Sequence, residues 1–196
     1  MSYAELHCLS SFTFLRGASH PEELVATAAH LGYQAIAITD ECSLAGVVKA
    51  HIKTKELAEE GLTIKLIIGS EFSLPDNSKL IALVKNKLAY EELSAYISLC
   101  RRRSVKGEYQ IKINDLDIHL KHCLLIWVPT GEKLSAEKSS PFSDQLKAML
   151  CNHHHVWIAY QRLLLADDED RYQLSFRYAT LLDKPMVACG NVHMHC

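Results

Sequence analysis

His7 stands near the end of a short apolar run, Asp40 and Glu41 close another, Glu71 follows a third, and His193 and His195 alternate near the last residue. Imidazole nitrogen mixed with carboxylate oxygen suits zinc, manganese or iron; it is neither a thiolate-rich soft site nor an all-oxygen calcium cage. His193-Met194-His195 has the strand alternation that puts both rings on one side. The position two after His7, where a second ligand would share that strand face, is Leu9.

Each of these residues also has a structural use. Asp40 precedes a helical pattern and could cap it, Glu71 after Gly69-Ser70 could be solvated, and the last histidines could form a loose tail. The run "CNHHHVW" (151–157) is discounted as a metal site, because adjacent histidines point to different sides and a loop-to-strand junction explains them. Ser10-Ser11 has no acid partner at a readable spacing, so nucleophilic catalysis is not supported. Arg101, Arg102, Arg103 and Lys106 complement the dipole at a helix end and form the only dense basic patch, the place to look for a phosphate or acidic-partner contact.

These residues need elements to position them, and short apolar runs alternate with helical periodicity almost from end to end. Strands are expected at 3–8, 34–40, 64–72, 79–85, 122–128, 155–163 and 185–191. Helices are expected from Pro21 to about Leu31 with Gly32 as stop, over 43–61 with Ser43 as cap and Gly61 as terminator, over 88–103, and over 168–182. The stretch Thr130–Pro141 reads as a loop. Buried strands alternating with helices indicate an α/β fold with a mainly parallel sheet or barrel, whose functional side chains gather at the C-terminal strand ends.

The chain has 196 residues, 48% of them hydrophobic, enough for a single domain spanning 1–196. A net charge of −2 gives no global reason to bind nucleic acid or membrane. Seven cysteines (Cys8, Cys42, Cys100, Cys123, Cys151, Cys189, Cys196), odd in number and without a C-x-x-C pair, argue for reduced thiols. With no signal-like start and no apolar run of membrane-spanning length, the expected location is cytoplasmic.

The ordered stretches "YAELHCLSSFTFLRGASHPEELV", "LGYQAIAITDECSLAGVVKAH", "IIGSEF", "CRRRSVKGEY" and "VACGNVHMH" resemble the N-terminal PHP (polymerase and histidinol phosphatase) domain of bacterial error-prone C-family DNA polymerases of the translesion type. The resemblance runs from Tyr3 to His195. It implies a distorted seven-stranded β/α barrel, like a TIM barrel, whose rim in metal-binding members holds a cluster of ions. Carried over position by position, His7, Asp40, Glu71 and His193 match ligands. Leu9, Glu41 and Asn191 stand where His, His and Asp would be, and Lys79 and Leu163 replace two more. Leu9 is thus a ligand position turned apolar, one loss among several.

The reading that follows is a metal-poor structural domain, catalytically silent by itself, of a polymerase that performs damage-induced DNA synthesis. Such a domain would work with the rest of the polymerase chain, meet DNA through the parent enzyme, and have other mutagenesis proteins as further partners, but no membrane. One zinc or manganese ion on His7, Asp40, Glu71 and His193 is the most these residues would keep; magnesium would serve only the parent polymerase. Two alternatives stand beside it: a metal-dependent phosphoesterase or 3′–5′ exonuclease at the rim, and a stand-alone remnant of a truncated gene.

Overall fold

The computed structural model describes residues 3–130 and 141–195. Nearly all of the expected loop between Thr130 and Pro141, and also Cys196, lie outside the described residues. The chain divides into two compact units, Met1–Glu71 with Cys189–Cys196, and Phe72–Ala188.

In the first unit β1 (Ala4–Cys8), β2 (Ala35–Ile38) and β3 (Lys65–Ser73, in this unit through Glu71) run parallel, Ala4 facing Ala35 and Ala35 facing Lys65. They alternate with α1 (Pro21–His30) and α2 (Val47–Glu59). Pro21 starts α1 where its missing N–H costs nothing, Glu22 and Glu23 lie in the first turn, and the Glu23 carboxylate accepts the His20 N–H at 2.7 Å. Leu24, Val25, Ala28, Ile36, Ile38, Ala50 and Leu57 form the core beneath the sheet. Ser43 does not cap α2. The amides of Cys42 and Ser43 donate to Glu71 O (2.8 Å) and Ser70 Oγ (3.1 Å), so this backbone is tied to β3 and the helix begins only after Gly46.

A register shift interrupts β1 between Glu5 and Cys8. There the His7 N–H donates to the Glu5 carboxylate (2.9 Å), which also accepts Gly190 N–H (2.8 Å) and the Tyr3 hydroxyl (3.0 Å). Irregularities of this kind re-aim side chains, and here the residue affected is His7. The returning segment 189–195 then lines the free side of β1, with Val192 N–H on His7 O (2.9 Å) and Leu9 N–H on Val192 O (2.8 Å).

In the second unit β4 (Lys79–Leu83) pairs antiparallel with β5 (Leu124–Val128), which is parallel to β6 (Val156–Tyr160) and β6 to β7 (Met186–Ala188). The sheet is mainly parallel, as expected, with β4 as the exception. The helices are α3 (Lys87–Arg102), α4 (Ile113–His119), α5 (Pro141–Asn152) and α6 (Asp168–Leu182). Periodicity had not revealed α4 or α5. Asn86 caps α3 by accepting the Ala89 N–H at 2.9 Å.

The triple histidine falls at the junction of α5 and β6, as expected. His153 is buried; the His155 N–H reaches its Nδ1 (3.2 Å), so the proton sits on Nε2 and is donated to Leu120 O (3.1 Å). Burial, helped by the nearby charges of Lys184 and His154, holds the His153 pKa below its ordinary 6.5. The unfolded chain takes up this proton more readily. The associated stability is therefore complete above about pH 6.5 and is lost as pH falls from there toward the folded-state value. Comparing urea midpoints at about pH 7.5 and 5.5, the acid-induced drop should be larger in the native protein than in His153→Gln; equal drops would remove this residue from the account.

Candidate functional site

The residues singled out in the first unit divide into three hydrogen-bonded groups. The first is a pair: His7 Nε2 and Glu71 Oε2 lie 2.6 Å apart, and neither side chain is exposed at all. His7 comes from the re-aimed end of β1 and Glu71 from the end of β3, where its backbone bridges to Glu41. Glu71 is thus buried and paired, not solvated.

The second group surrounds Asp40, at the end of β2 and 1% exposed. Its Oδ1 accepts the Ser10 N–H (2.8 Å), the Ser10 hydroxyl (2.9 Å) and the Thr13 hydroxyl (2.8 Å), while Oδ2 lies 2.8 Å from Ser10 Oγ. Thr13 Oγ1 in turn accepts the Glu41 N–H at 3.0 Å. Asp40 does not cap α2; it closes the loop between β1 and α1. Ser10 has an acid partner in Asp40, 30 residues away and so at no spacing readable in sequence, and among the described residues no imidazole completes a triad with it. Gly46 lets α2 begin against this carboxylate, since a Cβ there would stand 2.6 Å from Asp40 Oδ2.

The third group was not foreseen. Arg16 Nη1 lies 2.6 Å from Glu41 Oε2 and 2.6 Å from Glu71 Oε1. Burial works against charge on the guanidinium, but its hydrogen bond to Glu71, the charge of Glu71, and then Glu41 outweigh this and hold its pKa above the ordinary value. Gly17 fixes the turn that aims Arg16: a Cβ there would lie 1.9 Å from Ser10 O. Arg16-Gly17 is visible in the sequence as a turn, yet nothing local reveals that its partners stand 25 and 55 residues away.

Leu9 is fully buried. His193 Nε2 lies 3.0 Å from Asn191 Oδ1, and Asn191 takes a left-handed conformation (φ 55°) to which asparagine is suited. The tail is not loose: Ser19 Oγ accepts the His195 N–H (2.9 Å) and lies 2.7 Å from its Nδ1. Lys79 and Leu163 belong to the second unit, Lys79 pairing with Val128 and Leu163 donating its N–H to Asp168 Oδ1 (3.2 Å). In that unit Arg101 lies over the Tyr109 ring and Arg103 pairs with Asp115, while Arg102 and Lys106 are exposed.

A metal cluster does not fit this donor set. Among the described residues no three His, Cys, Asp or Glu side chains are placed to share an ion. Leu9 offers no lone pair, Asp40 is committed to hydroxyls, and a guanidinium nitrogen stands between Glu41 and Glu71. Likewise, no helix among the described residues is long and apolar enough to cross a membrane.

The model of the PHP domain family matches residues 5–164. An error-prone DNA polymerase of Teredinibacter turnerae is 45% identical over 195 residues, covering 100% of this chain and 18% of that protein. That of Methylococcus capsulatus is 45% identical over 194 residues, covering 98% and 17%. The chain therefore spans under a fifth of the length of these curated relatives. Among solved structures, a protein described as a metal-dependent phosphoesterase from Bifidobacterium adolescentis superposes with TM-score 0.66 at 16% identity, covering 99% of this chain and 88% of its own. An amidohydrolase from Chromobacterium violaceum does so with TM-score 0.66 at 14% identity, covering 98% and 88%. At such identities the likeness shows the fold alone, a seven-stranded β/α fold of the barrel type.

If Asp40 serves the loop and no ion, Asp40→Ala should lower the unfolding free energy by about 3 kcal/mol, the cost of leaving several buried donors unpaired. Zinc and manganese content, read by mass spectrometry, should stay the same; a loss of metal in step with the loss of Asp40 would make it a ligand after all.

Proposed function

The chain belongs to the PHP-domain family and is homologous along its length to error-prone DNA polymerases, and from that premise we propose that it is the N-terminal structural domain of such an enzyme. The parent would be a DNA-directed DNA polymerase, a nucleotidyltransferase acting cytoplasmically in translesion synthesis and repair. These residues would support its core, reaching DNA and other mutagenesis proteins through it. The observation that carries the reading is the identity of about 45% sustained over the whole segment by proteins much longer than it.

The same reading makes the domain metal-poor and catalytically silent. Hydrolysis at such a site needs an ion with an open coordination position to activate water. The donors that would hold it are replaced at Leu9, Glu41 and Asn191, and Asp40 is engaged elsewhere. We further propose that residues 1–196 act as one domain within the polymerase.

Two measurements test this. An immunoblot of source cells, with an antibody raised against this segment, should show a band several-fold heavier than the segment itself; a band at the segment's own size would make it a free-standing protein and end the polymerase reading. The purified native protein should carry less than one equivalent of zinc or manganese and release no phosphate or 3′-terminal nucleotide through this segment. Stoichiometric multi-metal content with hydrolysis would favour the phosphoesterase or exonuclease alternative.

A further inference from the structure

We infer that Arg16 is a built-in cation: its guanidinium takes the place of a divalent ion between Glu41 and Glu71, and its removal turns Glu41, Glu71 and His7 into a site that binds one zinc or manganese ion. The inference deepens the structural-domain reading and rests on it.

The geometry around Arg16 is that of a point charge, not of a fork. Arginine usually meets a carboxylate with two parallel hydrogen bonds, one nitrogen to each oxygen. Here one nitrogen, Nη1, serves two carboxylates from separate segments at 2.6 Å each, and the other, Nη2, is buried without a hydrogen-bond partner. Two carboxylates converging on a single atom is the arrangement that a metal ion imposes, at distances about half an ångström longer than the 2.0–2.2 Å of a zinc–oxygen bond. The third donor stands next to it, because the Glu71 oxygen not held by Arg16 lies 2.6 Å from His7 Nε2.

Charge balance requires some cation at this point. Glu71 is fully buried and Glu41 partly so, and two converging carboxylates cannot both stay ionised without a positive charge between them. The sequence meets this need from a loop anchored independently of the ion pair. Arg16 N–H and Gly17 N–H both donate to Thr13 O (3.2 and 3.0 Å), and Ala18 N–H donates to His193 O (2.8 Å). With that loop held, truncating the side chain at Arg16 takes the guanidinium out from between the two carboxylates and leaves the backbone that carries them in place. Small side-chain rotations of Glu41, Glu71 and His7 would then bring an imidazole and two carboxylates onto one ion, a donor set suited to zinc or manganese.

The test uses the protein at its native length, the variants Arg16→Ala, Arg16→Lys and Arg16→Ala/Glu41→Gln, and zinc and manganese chloride as probes. The native protein should bind no ion here, and its melting temperature should not respond to either metal. Arg16→Ala should melt about 5 °C lower or more, bind one equivalent of metal by calorimetry, and regain most of the loss when loaded. Arg16→Lys, which keeps the charge, should stay metal-independent, and the double variant should lose both the metal binding and much of the destabilisation. An Arg16→Ala variant that melts like the native protein, or that binds no metal while folded, overturns the inference and leaves the structural-domain reading intact. Stoichiometric metal already present in the native protein would instead overturn that reading.

Discussion

Three acidic side chains buried in one small unit set the terms for everything around them. Glu5, Asp40 and Glu71 are 3%, 1% and 0% exposed. A carboxylate removed from water without compensation is costly enough that it either finds donors or gives up its charge. The unit gives each a different set. Glu5 receives backbone amides and a phenol, Asp40 receives two hydroxyls and an amide, and Glu71 receives an imidazole and a guanidinium.

Most of those donors come from segments outside the regular strands and helices, where they add to backbone bonds such as Ala18 N–H to His193 O. The amide of Gly190 ties the returning segment to β1 through Glu5, Ser10 and Thr13 tie the loop after β1 to β2 through Asp40, and Arg16 ties the same loop to β3 through Glu71. Polar satisfaction and loop placement are thus the same set of bonds. In a metal-binding relative of this fold an ion at the rim could perform part of that work; in this chain amides, hydroxyls, an imidazole and a guanidinium do it.

The sequence made the strand ends legible. His7, Asp40 and Glu71 could be picked out because each is a polar residue closing an apolar run, and Leu9 stood out as an apolar residue at a ligand position. Their bonding could not be read in the same way. Asp40 looks the same in sequence whether it faces an ion, a helix N-terminus or a serine, and the choice is made by Ser10 and Thr13, some 30 and 27 residues away. Ser43 has the chemistry of a helix cap, but backbone pairing with β3 delays the helix past it. The antiparallel direction of β4 leaves no mark on composition. Arg16 was hidden for a related reason: a lone arginine in a turn has no periodicity, and its meaning comes only from two acids that the fold brings to it.

A metal ion contributes to folding by mass action, so its share of stability rises and falls with the free ion around the protein. The guanidinium of Arg16 is covalently part of the chain and can neither dissociate nor be taken by a chelator. The charge balance at Glu41 and Glu71 is therefore set at synthesis and holds through metal starvation. Its local concentration is fixed by a short loop, whatever the supply in the cell.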